Sequence, residues 1–204
     1  VTLPPLFFIT EPVPLLVIFI LSKIISEFSV FSINPFLFDD SLTIVPFLIE
    51  LGVMSKEGKV HVAKYDKFKQ INRFLEFIDD ILDDVKSVCL QKDESFSQER
   101  PLRIADFGCG KSYLTFAVYY FLTEIKNIPV EITGLDLKED VIKNCQQLAK
   151  KLNCKNLNFY IGDVAKFSYK NSPDIMITLH ACDTATDYAL EYAIKNNTAA
   201  ILSV

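Results

Sequence analysis

An α/β fold, with a doubly wound and mostly parallel sheet, helices on both faces and a helical N-terminal extension, is predicted by three features of this 204-residue chain. Short apolar runs alternate with segments of helical period from residue 102 onward, and strands separated by helices demand right-handed crossovers and parallel pairing. The first of these runs passes into Asp106-Phe107-Gly108-Cys109-Gly110-Lys111-Ser112-Tyr113, where a carboxylate and two closely spaced glycines open a helix. Asp136 ends the next run, Val130-Glu131-Ile132-Thr133-Gly134-Leu135, so carboxylates stand at two consecutive strand tips.

In chain order, the first element is an apolar block at residues 15–21, between Glu11 and Lys23 and preceded by Pro4, Pro5, Pro12 and Pro14. It is too short to cross a bilayer comfortably. It also lacks the basic flank and small-residue cleavage site of a secretory signal. A packed or dimer-forming segment is the expectation, with membrane association and a misassigned start as alternatives; stable membrane insertion is not expected. From 65 to 89 the apolar positions Ile71, Phe74, Leu75, Ile78, Leu82, Val85 and Cys89 recur every three or four residues, which reads as an amphipathic helix. Residues 91–101 are polar and without period, a linker.

Strands are then expected near 102–107, 130–135, 157–161 and 174–179, with helices near 111–124, 138–152 and 184–195. Val141, Cys145, Leu148, Ala149 and Leu152 form a one-sided stripe on the second of these helices. The chain ends on the apolar run 199–204, read as a fifth strand of a sheet that would continue, so the expectation is a truncated domain. The division expected is 1–100, an N-terminal hydrophobic and helical region with linker, and 101–204, the ligand-binding domain.

Half of the residues are hydrophobic, enough for one substantial core. A net charge of −5 argues against a wholly basic nucleic-acid coat but leaves room for a local basic face. Five cysteines without a CxxC pair suit a reducing, cytoplasmic setting, and two histidines without ligand spacing predict no structural metal. His180-Ala181-Cys182 lacks the adjacent glutamate and the downstream CxxC of a zinc deaminase.

The glycine loop admits three ligands. A kinase-type phosphate loop needs a glycine where Ala105 stands, and a dinucleotide loop needs one at Tyr113. Asp106, two residues before the first glycine, would also repel a diphosphate lying over the loop. A cationic amino-acid end suits the same carboxylate. The chain here resembles class I S-adenosylmethionine-dependent methyltransferases, which have a Rossmann-like fold and an acidic-x-Gly-x-Gly first motif. Four features agree in order: Asp106 to Gly110; Leu135-Asp136-Leu137; Gly162-Asp163-Val164; and Pro173-Asp174-Ile175-Met176-Ile177-Thr178-Leu179-His180. Ser112 departs from the pattern, since many members carry a further glycine there.

The resemblance implies a cofactor site made of Asp106, Gly108, Cys109, Gly110, Asp136, Leu137, Asp163, Val164 and Leu179. Asp136 would hold the ribose hydroxyls, and Asp163 would accept from the adenine amine beside the Val164 backbone. The Asn/Asp-Pro-Pro-aromatic motif of base amine methyltransferases is absent; Leu179-His180-Ala181-Cys182-Asp183 takes its place. His180 and Asp183 are the candidate catalytic residues, by position and, for histidine, by a pKa near neutrality. Packing over the adenosine and capping of the next helix are the alternatives for the two. Lys64, Lys67, Lys69 and Arg73 gather at the start of the helix and Asp79, Asp80, Asp83 and Asp84 lie later, against the helix dipole. Lys67, Lys69 and Arg73 are therefore candidate substrate contacts, for nucleic-acid phosphate or, alternatively, for carboxylates of the domain itself.

The segment from Lys67 to Phe74, the loop and residues 179–182 together resemble a largely uncharacterised subgroup with a helical N-terminal region. The resemblance implies a link to RNA modification, seen in some relatives, which makes RNA the first acceptor to consider. A non-catalytic module that binds cofactor or partner is the second reading, and a nicotinamide-dependent oxidoreductase the third.

Overall fold

A computed structural model describes residues 16–19, 44–91, 94–163, 167–179 and 183–203. Six strands form one parallel sheet: β1 (Leu16–Phe19), β2 (Leu102–Phe107), β3 (Val130–Asp136), β4 (Leu157–Ile161), β5 (Ile175–Thr178) and β6 (Ala200–Ser203). Their spatial order is β1-β6-β5-β2-β3-β4. The helices are α1 (Pro46–Glu50), α2 (Tyr65–Cys89), α3 (Tyr113–Tyr120, continued by a π-helical turn, Phe121–Ile125), α4 (Glu139–Lys151) and α5 (Asp183–Lys195).

The central strands are apolar almost throughout because helices cover both faces of the sheet, so neither side chain direction meets water. Every residue of β5 and β6 is buried, as are five of the six in β2. β4, at an edge, keeps only Leu157 and Phe159 inside. All five expected strands are present, and a sixth joins them. The backbone of the N-terminal apolar block pairs in parallel with β6, from Leu16 opposite Ala200 to Phe19 opposite Ser203. A short continuous apolar run has no period that separates strand from helix, so its pairing is decided by the sheet edge it meets.

From β2 the chain winds outward to β3 and β4, then returns to the other side of β2 to lay down β5 and β6. Crossovers on the two sides of β2 therefore diverge and leave a crevice at the carboxyl ends of β2 and β5, where ligands of such sheets bind. Asp106 pairs with Gly134 on one side and with Ile177 on the other, which places it at that crevice.

Helix α2 runs over all 25 residues from 65 to 89 and buries Phe68, Ile71, Phe74, Leu75, Ile78, Ile81, Leu82 and Val85. These join Ile104, Phe116, Val118 and Ile132 in one apolar cluster, so the N-terminal helix and the sheet share a core. Among the described residues no helix is long and apolar enough to cross a membrane.

The far end of the sheet is tied by Arg100. Its guanidinium donates two parallel hydrogen bonds to Asp174, at 2.8 and 2.7 Å, and the Arg103 N–H donates a third to the same carboxylate at 2.9 Å. Burial, with the Asp174 charge second, pushes the adjacent Cys89 thiol up to about 12, so it packs there as a neutral group. In Arg100→Met the Asp174 carboxylate, buried, would lose both guanidinium donors and its counter-charge. The expected loss is about 3 kcal/mol, seen as a lower urea midpoint. Arg100→Met combined with Asp174→Asn should recover part of it.

Candidate functional site

The chain leaves β2 through a loop of left-handed turns. Gly108 and Gly110 have φ of +67° and +53°, a region that L side chains rarely occupy. Ser112 has φ of +57° although it carries a side chain. This explains the departure noted in the sequence: the position asks for the backbone that a glycine would supply, and serine adopts it under strain. Ser112 is buried, its hydroxyl 3.2 Å from Cys145 Sγ, which helps hold it there. The Cys109 N–H donates to the Leu135 carbonyl at 3.0 Å and draws the loop onto β3.

Beneath the loop lies Gly134. A Cβ there would stand 2.5 Å from the Phe159 ring and 3.3 Å from Cys109 Sγ. The side chain of Cys109 thus points into the core, and its part in any site is played by its backbone. Burial, followed by the Asp106 charge, raises the Cys109 thiol, and burial also raises Cys145, so neither is an activated nucleophile.

Asp106 is 5% exposed and accepts a hydrogen bond from the Thr115 hydroxyl of α3. Burial pushes its carboxyl up to about 7, the Thr115 hydrogen bond opposes this, and the neighbouring Asp136 charge adds to it. A cation arriving beside it would be stabilised by the ionised form and would in turn stabilise that form.

Asp136 closes β3 and does two backbone jobs. One carboxylate oxygen accepts the Gly110 N–H at 2.9 Å and the other accepts the Lys138 N–H at 2.9 Å. It therefore ties the glycine loop to the β3 tip and shapes the entry to α4, while its remaining lone pairs stay available to hydroxyl donors. Leu137, next in the chain, is 73% exposed, an apolar face at the rim where a flat ring could rest. The Gly162 N–H donates to the Asp136 carbonyl and sets the β4 tip, with exposed Asp163, beside it. Val164 and His180 lie outside the described residues. Asp183 starts α5 at the carboxyl side of β5.

A cleft of about 380 Å³ opens over the loop. Asp106, the loop from Gly108 to Tyr113, and Ile177 and Leu179 from the end of β5 form one part of its lining. Lys64 and Lys67 form another. The basic group at the start of α2 is thus divided. Lys69 pairs with Asp66 at 3.0 Å, and Arg73 pairs with Glu76 and lies over the Phe77 ring. Neither lines the cleft. Asp79, from the acidic later portion of α2, pairs with Lys126 at 2.5 Å.

Sequence reasoning passed over Thr115, Gly134 and Ile177, and it noted Lys64 without assigning it a role. Thr115 carried a signal, a polar residue on the inward side of the apolar helix Tyr113–Tyr120. Gly134 carried none, because its requirement comes from a ring 25 positions further on.

Together these residues offer a buried carboxylate to a positive group, a strand-tip carboxylate to hydroxyl donors, and glycines that let a ligand approach the backbone. A family model described as a methyltransferase domain matches residues 66–204. Malonyl-(acyl-carrier protein) O-methyltransferase of Bacillus anthracis is 22% identical over 133 residues, 64% of this chain and 42% of that protein. The chain thus spans less than half the length of that curated relative. Among solved structures, monomeric WbdD is similar with a TM-score of 0.46 at 17% identity, over 65% of this chain and 31% of the other. Coclaurine N-methyltransferase bound to N-methylheliamine and SAH gives 0.43 at 12% identity, over 63% and 33%.

Proposed function

The chain belongs to the methyltransferase-domain family, and on that premise we propose that it moves the methyl group of S-adenosylmethionine to an acceptor nucleophile. The observation that carries this reading is the pair of carboxylates, Asp106 and Asp136, flanking a left-handed glycine loop at the point where the sheet reverses direction.

In this reading Asp106 receives the ammonium of the cofactor's amino-acid end, and the Gly108–Gly110 backbone lies along that end. Asp136 accepts from the ribose hydroxyls, Leu137 covers one face of the adenine, and Asp163 accepts from its amine beside Val164. When bound, the cofactor supplies a methyl already activated on a sulfonium, so the chain's contribution is orientation of two reactants and exclusion of water. Leu179, at the end of β5, faces that reaction volume. His180 is the group to position the nucleophile or take its proton, with Asp183 second.

RNA remains the first acceptor to test, on the resemblance alone. Support from charge has narrowed, since Lys69 and Arg73 are engaged in ion pairs within α2. The curated relative, by its name, methylates a malonyl group on a carrier protein, which makes an acyl carboxylate the second acceptor class.

Two measurements test the reading. Calorimetry on the full chain should show S-adenosylhomocysteine binding; absence of heat counts against it, and a rise in melting temperature with NAD instead revives the oxidoreductase. Labelled methyl from S-adenosylmethionine should then enter one fraction of a cell extract separated into RNA, protein and small molecules. Binding without incorporation favours the non-catalytic module.

A further inference from the structure

We propose that Lys67, supported by Lys64, holds the carboxylate of the cofactor's amino-acid end, so that the start of α2 completes the cofactor site; this rests on the reading of the cleft as a site for S-adenosylmethionine. Lys67 had stood among the candidate substrate contacts, and its surroundings give it a different task.

An α-amino acid carries one ammonium and one carboxylate on the same carbon. A site that desolvates both must offer an opposite charge to each, because an unpaired buried charge is costly. The cleft provides Asp106 for the ammonium. Lys64, Lys67 and Lys111 are the cations that line the same space. Of these, Lys64 and Lys111 are exposed and Lys67 is half-buried.

Lys67 is also short of negative partners. Its ammonium donates to the neutral Gln70 Oε1 at 2.5 Å and lies 5.6 Å from the centre of the Tyr113 ring. Among the described residues no carboxylate forms an ion pair with Lys67 or Lys64, whereas Lys69 and Arg73 each have one. Burial, and the Lys64 charge after it, lower the Lys67 pKa, as expected of an ammonium kept where an anion is missing. Gln70 and Tyr113 aim the ammonium without neutralising it. An acceptor's anion could use the same charge, and the experiment separates the two.

Calorimetry on the full chain would compare S-adenosylhomocysteine with its decarboxylated analogue, which keeps the adenosine, the thioether and the ammonium. Wild type should prefer the former by about tenfold or more. Lys67→Met, which keeps the apolar stem, should weaken S-adenosylhomocysteine by roughly that factor and leave the analogue within about twofold. Lys67→Arg should retain most of the preference, and Lys64→Met should shift it in the same direction by less. An unchanged preference in Lys67→Met overturns the proposal, whether both ligands keep their affinity or both lose it equally. A Lys67→Met variant that binds both ligands as wild type does and loses only methyl transfer assigns the charge to the acceptor and overturns it too. Wild type that binds neither ligand removes the parent reading and this one with it; wild type that binds both equally removes only this one.

Discussion

Asp136→Ala is expected to reduce S-adenosylhomocysteine affinity at least about 100-fold, corresponding to roughly 3 kcal/mol. Two effects combine. In the proposed complex, hydrogen bonds from the ribose hydroxyls to a charged acceptor are lost. Independently of any ligand, the Gly110 and Lys138 N–H groups lose their shared acceptor, and the glycine loop loses its tie to β3. Asp136→Asn separates the contributions, since an amide offers one acceptor oxygen where the carboxylate offers two. Titration calorimetry with a parallel thermal melt checks both. An affinity within about threefold of wild type, together with a lowered melting temperature, would leave Asp136 with the loop-holding role alone.

The second large effect is a pH dependence centred on Asp106. In the folded chain its carboxyl is raised from 3.8 to about 7, first by burial. The sign follows from proton counting: between about 3.8 and 7 the unfolded chain has released a proton that the folded chain retains. This group therefore makes the unliganded protein less stable as pH rises through that window. Binding of an ammonium compound has the opposite preference, because it favours the ionised carboxylate. Association below pH 7 must then release a proton, and affinity for S-adenosylhomocysteine should climb with pH up to about 7 and level off above it.

At pH 5.5 the expected affinity is about tenfold or more below that at pH 8, since each unit below the folded pKa can cost up to a factor of ten. Asp106→Asn should flatten the profile, weaken binding at pH 8, and raise the melting temperature of the unliganded protein at that pH. Heats measured in two buffers of different ionisation enthalpy report the released proton directly. A flat wild-type profile would mean that no cation lies against Asp106.

The strands and α2 were readable along the chain because their signals are local. Strands covered on both faces are short apolar runs, and α2 repeats its apolar residues at helical spacing over 25 positions. The glycine loop was readable for a similar reason: consecutive left-handed turns need particular residues, and even the exception, Ser112, marked the right place. Asp106 and Asp136 followed from their positions at the ends of apolar runs.

What could not be read depends on how the folded segments meet. Lys67 and Lys69 stand two residues apart with the same charge, yet α2 turns one toward the cleft and the other toward Asp66, because helical neighbours two positions apart do not share a face. Asp174 belonged to a matching motif, but its bond to Arg100 joins residues 74 positions apart at the end of the sheet away from the cleft. The conversion of Asp106 from an ordinary acid to one titrating near neutrality needs the burial that a neighbouring strand on each side provides, and it prevails although the Thr115 hydroxyl pulls the other way. Periodicity and turn chemistry are properties of adjacent residues and survive in the linear order, which is why the fold class and the loop emerged from it. Desolvation, charge pairing and the room left for a side chain depend on which segments meet, and only the folded sheet brings those segments together.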